Sequence, residues 1–183
     1  QKSAGTSINA AFFSLAVLPA QRTYDAGYDL YLKASTSPEL GIDTGGLRYR
    51  GHKPYDGQPF DYWFSHYFSE GLPLNAYTFT CLRDPVQRLR SFFAEIAAER
   101  SKGSLSRWEW DAFLEAHTLR EMVEQARERD LNHLCYLFSP SGDMDEAFHN
   151  LLRCSRIIRT ERFVEGVALL NADLGISLPV FHG

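Results

Sequence analysis

Apolar and polar positions follow two different periods along this chain, and the places where the period changes mark its elements. Ile8 to Val17 (INAAFFSLAV) is mostly apolar, with small residues that allow close packing, which predicts a buried helix ended by Pro19. Gln21 to Gly46 carries Gly, Asp, Ser, Thr and Pro and is expected to be loop with at most short strands. Leu47 to Arg50 (LRYR) alternates apolar and basic residues, as a strand with one buried face does. It runs into a loop, GHKPYDG. The aromatic stretch Phe60 to Phe68 that follows is expected to be a short helix or a packed loop. The clearest strand is Ala76 to Leu82 (AYTFTCL), rich in β-branched and aromatic residues. From Val86 the period becomes helical, and Val86, Leu89, Phe92, Phe93, Ile96 and Ala97 share a face. Pro85 suits the first turn of that helix and Asp84 its N-cap. Trp108 to Ala116, Leu119 to Glu128 and Asp145 to Cys154 also carry apolar residues at helical spacing. Ile157-Ile158 is expected as a short buried strand and Phe163 to Leu174 as a final amphipathic helix. Strands alternating with helices predict an α/β domain whose central, mainly parallel sheet is flanked by helices.

Length and composition narrow the picture. With 183 residues, 44% of them hydrophobic, the chain can bury one sizeable core, and residues 1–183 are expected to form a single domain. Net charge is −4 and the isoelectric point about 5.9, which weighs against nucleic acid as a partner. Cys81, Cys135 and Cys154 are odd in number and widely spaced, without a CxxC pattern. No metal site and no disulfide framework is expected, and a reducing compartment is inferred. No apolar run approaches the ~20 residues that cross a membrane, and no signal peptide is visible.

Two stretches carry candidate chemistry. Lys2-Ser3-Ala4-Gly5-Thr6-Ser7 places a cation, small residues and hydroxyls directly before a helix start. Backbone N–H groups and the positive end of the helix dipole suit a phosphate or sulfate, and Lys2 supplies a full charge. The order is not that of a Walker A loop, where the lysine follows the last glycine. The plain alternative is an ordinary capped helix with Thr6 or Ser7 as the cap. A strand should precede such a loop, so the chain is expected to begin inside a longer protein. In the second stretch Arg83 closes a strand, and Ser91 lies eight residues on, about two turns into the next helix. An arginine fork binds phosphate bidentately, and a nearby hydroxyl can add a hydrogen bond. Alternatively, Arg83 pairs with Asp84 or another carboxylate, and Ser91 is a surface serine. Both helix starts are anion-friendly and would fall beyond the carboxyl ends of the strands, where α/β sheets bind ligands.

These stretches carry a family resemblance. "KSAGTS" resembles the PKTGTTS or PKTAGTS loop of sulfotransferases that use 3′-phosphoadenosine-5′-phosphosulfate (PAPS). "FTCLRDPVQRLRSFF" is similar to their second signature, a strand ending in R-[DE]-P followed by x-x-R-x-x-S. The likeness is to the carbohydrate sulfotransferases, including bacterial relatives. "GHKPYDG", "DLNHLCYL" and "IIRTERFVEGVALLNADLGI" resemble further segments of that family in the expected order. The resemblance implies a P-loop-containing sulfotransferase fold. Lys2 and the loop Ser3, Ala4, Gly5, Thr6 and Ser7 would then hold the 5′-phosphosulfate. Arg83 and Ser91 would hold the 3′-phosphate, and the nucleotide product would be adenosine 3′,5′-bisphosphate. The chain departs from the pattern at Gln1 (usually proline), Ser3 (usually threonine) and Cys135 (an arginine in the family segment), and no late glycine-rich basic segment is found.

Sulfuryl transfer is an in-line displacement driven mostly by positioning and charge stabilisation. The resemblance makes Lys2 and His52 the catalytic pair, His52 taking the acceptor's proton, since histidine titrates near neutrality. His66 is the second choice, with Asp56 and Glu70 behind it. The acceptor is expected to be a small-molecule or glycan hydroxyl. Arg48, Arg50 and Lys53 flank His52 and suit an acidic sugar, although strand-end basic residues are as often merely solvated. Tyr62, Trp63, Trp108 and Trp110 could stack on sugar rings, or simply pack. The acidic chain argues against a long polyanion as acceptor. An ATP-using P-loop kinase and an inactive nucleotide-binding domain are the rival readings. The location implied is the cytoplasm of a bacterial-type cell, or the Golgi lumen if a membrane anchor lies upstream.

Overall fold

The fold was obtained as a computed structural model and describes residues 5–36, 42–44, 46–51, 57, 59–64, 73, 75–101 and 116–181. Helix α1 (Gly5–Ser14) starts three residues before the apolar run and ends before Val17. From Ala10 to Ser14 every residue is buried, because α1 is enclosed by a second helix on one side and strands on the other. That second helix, α2 (Tyr24–Thr36), occupies the first part of the stretch expected to be loop with at most short strands between Gln21 and Gly46. Thr23 accepts the Ala26 N–H and starts it, and Tyr24, Tyr28 and Tyr31 form a row of rings at helical spacing. Gly27 lets α2 lie against α1: a Cβ there would run into the carbonyl of Ala10.

Strand β1 (Ile42–Thr44) pairs antiparallel with β2 (Leu47–Gly51), and β2 pairs parallel with β3 (Tyr62–Phe64). The aromatic stretch expected as helix or loop thus supplies a strand, whose Tyr62 and Phe64 point into the core and whose Trp63 does not. Strand β4 (Phe79–Leu82) pairs parallel with β5 (Arg156–Arg159), Leu82 standing opposite Arg159. Among the described residues the strands form two short sheets, where a single central sheet was expected from sequence. Among the described residues the ladders of β3 and β4 do not join. Aromatic packing joins them instead, and residues of both sheets share one core with α1.

Helix α3 (Pro85–Ser101) turns most of the expected face inward, with Leu89 and Phe93 packed against its buried residues, and departs from it only at the edges. Arg88, Phe92 and Ile96 are buried, whereas Val86 is 54% exposed and Ala97 is exposed. The reason is its neighbour. Phe92 and Ile96 pack with Ala116 and with Met122 of α4 (Leu119–Gln125), a small core separate from that of the sheets. Short helices α5 (Glu128–Leu131) and α6 (His133–Phe138) lead to α7 (Met144–Leu152), capped by Asp143. Helix α8 (Phe163–Leu174) lies on β5, with Gly166 against Ile158, and Gly175 at φ +63° closes it. The chain is thus a mixed α/β protein with short parallel sheets. No helix among the described residues is long and apolar enough to cross a membrane.

Candidate anion-binding site

Gly5, Thr6 and Ser7 form the first turn of α1. Thr6 and Ser7 lie inside the helix and not before it, so neither is the cap residue, which corrects that alternative. The first turn of α1 holds no carboxylate, whereas those of α4, α5 and α7 all do. Unopposed amide dipoles are what an anion requires there. Lys2, Ser3 and Ala4, like His52, Lys53, Asp56, His66, Glu70, Trp108 and Trp110, lie outside the described residues.

The second stretch folds as a strand–turn–helix unit. Strand β4 ends at Leu82, Arg83 follows, and Asp84 caps α3 by accepting the Gln87 N–H at 2.9 Å through Oδ1. The cap forms as the sequence predicts. Its consequence corrects the expectation of a second anion-friendly helix start, because the Asp84 carboxylate already occupies that position and carries negative charge. A phosphate at this turn would depend on the Arg83 side chain and not on the α3 amides. The turn is held by the two residues that follow β5. Thr160 donates its hydroxyl to the Leu82 carbonyl at 3.0 Å, and the Asp84 N–H donates to Glu161 Oε1 at 2.8 Å. That amide bond keeps the Glu161 carboxyl below its usual range.

Ser91 sits two turns into α3, half-buried, beside the inward stripe of Arg88 and Phe92. A helix rises ~1.5 Å per residue, which puts it about 9 Å along the axis from Pro85. Arg88 does not share the site. Its guanidinium donates to the carbonyls of Asp130 and Leu131 at 3.1 and 3.2 Å, and burial lowers its pKa.

In the stretch expected to meet an acceptor, Tyr49 is buried, so Arg48 and Arg50 project from the opposite face of β2, with Arg50 in register beside Trp63. Arg48 is tied to Asp61 by a two-point contact, Nε to Oδ2 at 2.9 Å and NH2 to Oδ1 at 3.1 Å. Hydrogen bonds from the Arg48 side chain and backbone lower the Asp61 pKa to about 2, so an acidic sugar would compete with a committed partner. The sugar-stacking role weighed for Tyr62 is corrected. Its ring is in the core and its hydroxyl bonds Asn9 Oδ1 at 2.7 Å. Cys135 donates its thiol to the Gly142 carbonyl at 3.2 Å, and burial raises its pKa.

Sequence reasoning passed over Thr160, Glu161 and Asp61. The only signal for the first two was a hydroxyl and a carboxylate just after Ile157-Ile158, and for Asp61 a lone carboxylate before an aromatic run; neither is specific. No protein-family model, curated protein or solved structure matches this chain.

Proposed function

We propose that the protein is a PAPS-dependent sulfotransferase acting on a hydroxyl, with a carbohydrate as the acceptor class. One observation supports the reading: the helix that begins at Gly5 packs on the strand that leads into Arg83. Helix α1 begins at Gly5-Thr6-Ser7, and its Phe12 stacks on Phe79, the first residue of the strand that ends before Arg83.

In this reading the α1 amides and Lys2 neutralise charge on the leaving phosphate, and Arg83 with Ser91 reads the 3′-phosphate. His52 follows Gly51, the last residue of β2, and takes the acceptor proton. Arg50 and Trp63, neighbours on the outer face of β2 and β3, offer a cation and an indole to a sugar. PAPS supplies the activated sulfuryl group.

The test is calorimetric titration of the protein with adenosine 3′,5′-bisphosphate beside AMP, ADP and ATP–Mg²⁺. Preference for the bisphosphate over AMP by roughly tenfold or more, a charge-assisted bond's worth, supports the reading. Preference for ATP–Mg²⁺, or no binding by folded protein, overturns it, the former in favour of a kinase. In turnover assays with PAPS and hydroxyl acceptors, His52→Ala should lose transfer while bisphosphate binding stays near normal.

A further inference from the structure

We propose that Thr160 and Glu161 are positioning residues for Arg83; the inference rests on the reading of Arg83 as the reader of a 3′-phosphate. The parallel ladder of β4 and β5 ends at the pair Leu82 and Arg159. Beyond it, sheet bonds no longer hold the backbone, yet Arg83 is the very next residue. The two side chains that follow Arg159 take over. Thr160 Oγ1 donates to the carbonyl of Leu82, and Glu161 Oε1 accepts the N–H of Asp84.

These bonds grip the peptide group before Arg83 and the one after it. Together they fix both backbone torsions of Arg83 and therefore the direction in which its side chain leaves the chain. A long side chain magnifies any rotation at its base, and a misplacement of ~1 Å at a reacting or binding group can cost about a hundredfold. The carboxylate of Glu161 would compete with a phosphate if it turned toward the arginine fork. It is held back by the Asp84 amide and by Arg159, whose Nε lies 3.8 Å from Glu161 Oε2. Asp84, in turn, has its own carboxylate on the α3 cap. The turn thus accommodates two acidic side chains, each engaged by a named donor.

The experiment compares wild type, Glu161→Ala, Glu161→Gln, Thr160→Val and Thr160→Ser in two readouts. Calorimetry gives the affinity for adenosine 3′,5′-bisphosphate and for AMP, and amide hydrogen exchange reports the Asp84 N–H. Glu161→Ala and Thr160→Val should each narrow the preference for the bisphosphate by about tenfold with AMP affinity unchanged. Glu161→Ala should also speed exchange at Asp84. Glu161→Gln and Thr160→Ser, which keep an acceptor and a donor, should restore the preference. A wild type that prefers the bisphosphate while Glu161→Ala prefers it equally overturns the inference. So does an equal loss for both nucleotides, which marks a general structural role. A wild type that does not distinguish the nucleotides overturns the nucleotide reading itself, and the positioning role falls with it; exchange at Asp84 then still reports whether Glu161 holds the turn.

Discussion

Phe12 of α1 lies flat against Tyr62 of β3, ring centroids 4.1 Å apart and planes 11° from parallel, and it also stacks on Phe79 of β4 at 5.6 Å. One ring therefore joins two sheets whose ladders do not meet among the described residues, and it does so from the helix that carries Gly5, Thr6 and Ser7. Phe12→Ala should cost about 3–5 kcal/mol, the range for emptying a buried aromatic site, read as a lower urea midpoint at unchanged slope. A loss under about 1 kcal/mol would mean that the sheets are held together elsewhere.

Gly27 provides a test of sign. In an exposed helix, Gly→Ala stabilises by about 1 kcal/mol. Here the new methyl would meet the Ala10 carbonyl of α1, and forcing packed elements apart costs ~1–3 kcal/mol. Gly27→Ala should therefore be net destabilising in thermal unfolding. A stabilised variant would show that α1 and α2 are not in this close contact.

His133 sets a pH dependence. Burial first, then the nearby Arg88 charge, lowers its pKa from 6.5 to about 4. Between those values the unfolded chain binds a proton that the folded chain refuses, so stability falls as pH drops from about 6.5 toward 4. His133 is only partly buried, and solvent screening reduces the effect to about 1–2 kcal/mol. Urea unfolding between pH 7 and 4.5 should give a shallower decline for His133→Gln than for wild type. Parallel curves would remove His133 as the cause.

Arg83→Ala should weaken adenosine 3′,5′-bisphosphate binding by about 1.5–3 kcal/mol and leave AMP nearly unaffected. Arg83→Lys, which keeps the charge but loses the planar fork, should recover only part of the loss. Equal losses for both nucleotides would place Arg83 away from a 3′-phosphate.

The elements legible in sequence were those whose own residues settle their state. The strand expected over Ala76 to Leu82 forms from Phe79 to Leu82, three residues shorter at its start, and Asp84-Pro85 announces the helix that follows. Helix α2 was hidden because composition misled. Its Gly and Asp residues resemble loop sequence, while the 3–4 spacing of Tyr24, Gly27, Tyr28, Tyr31 and Ala34 gains meaning only when α1 lies against it. Residues 62–64 were likewise undecidable as a short aromatic run, and pairing with β2 made them a strand.

What the sequence by itself determined is local: the stop of strand β4, the Asp84 cap, and the alternation that sends Tyr49 inward and Arg48 and Arg50 outward. These follow from backbone propensity, capping and the period of the side chains, which act within a few residues. Only the tertiary structure decided that Arg88 joins the buried side of α3, that Phe12 joins two sheets, that Arg48 is committed to Asp61, and that Thr160 and Glu161 hold the turn around Arg83. Those partners are 13 residues apart at the nearest and 78 at the farthest, and short polar contacts between such positions leave no periodic trace in a sequence.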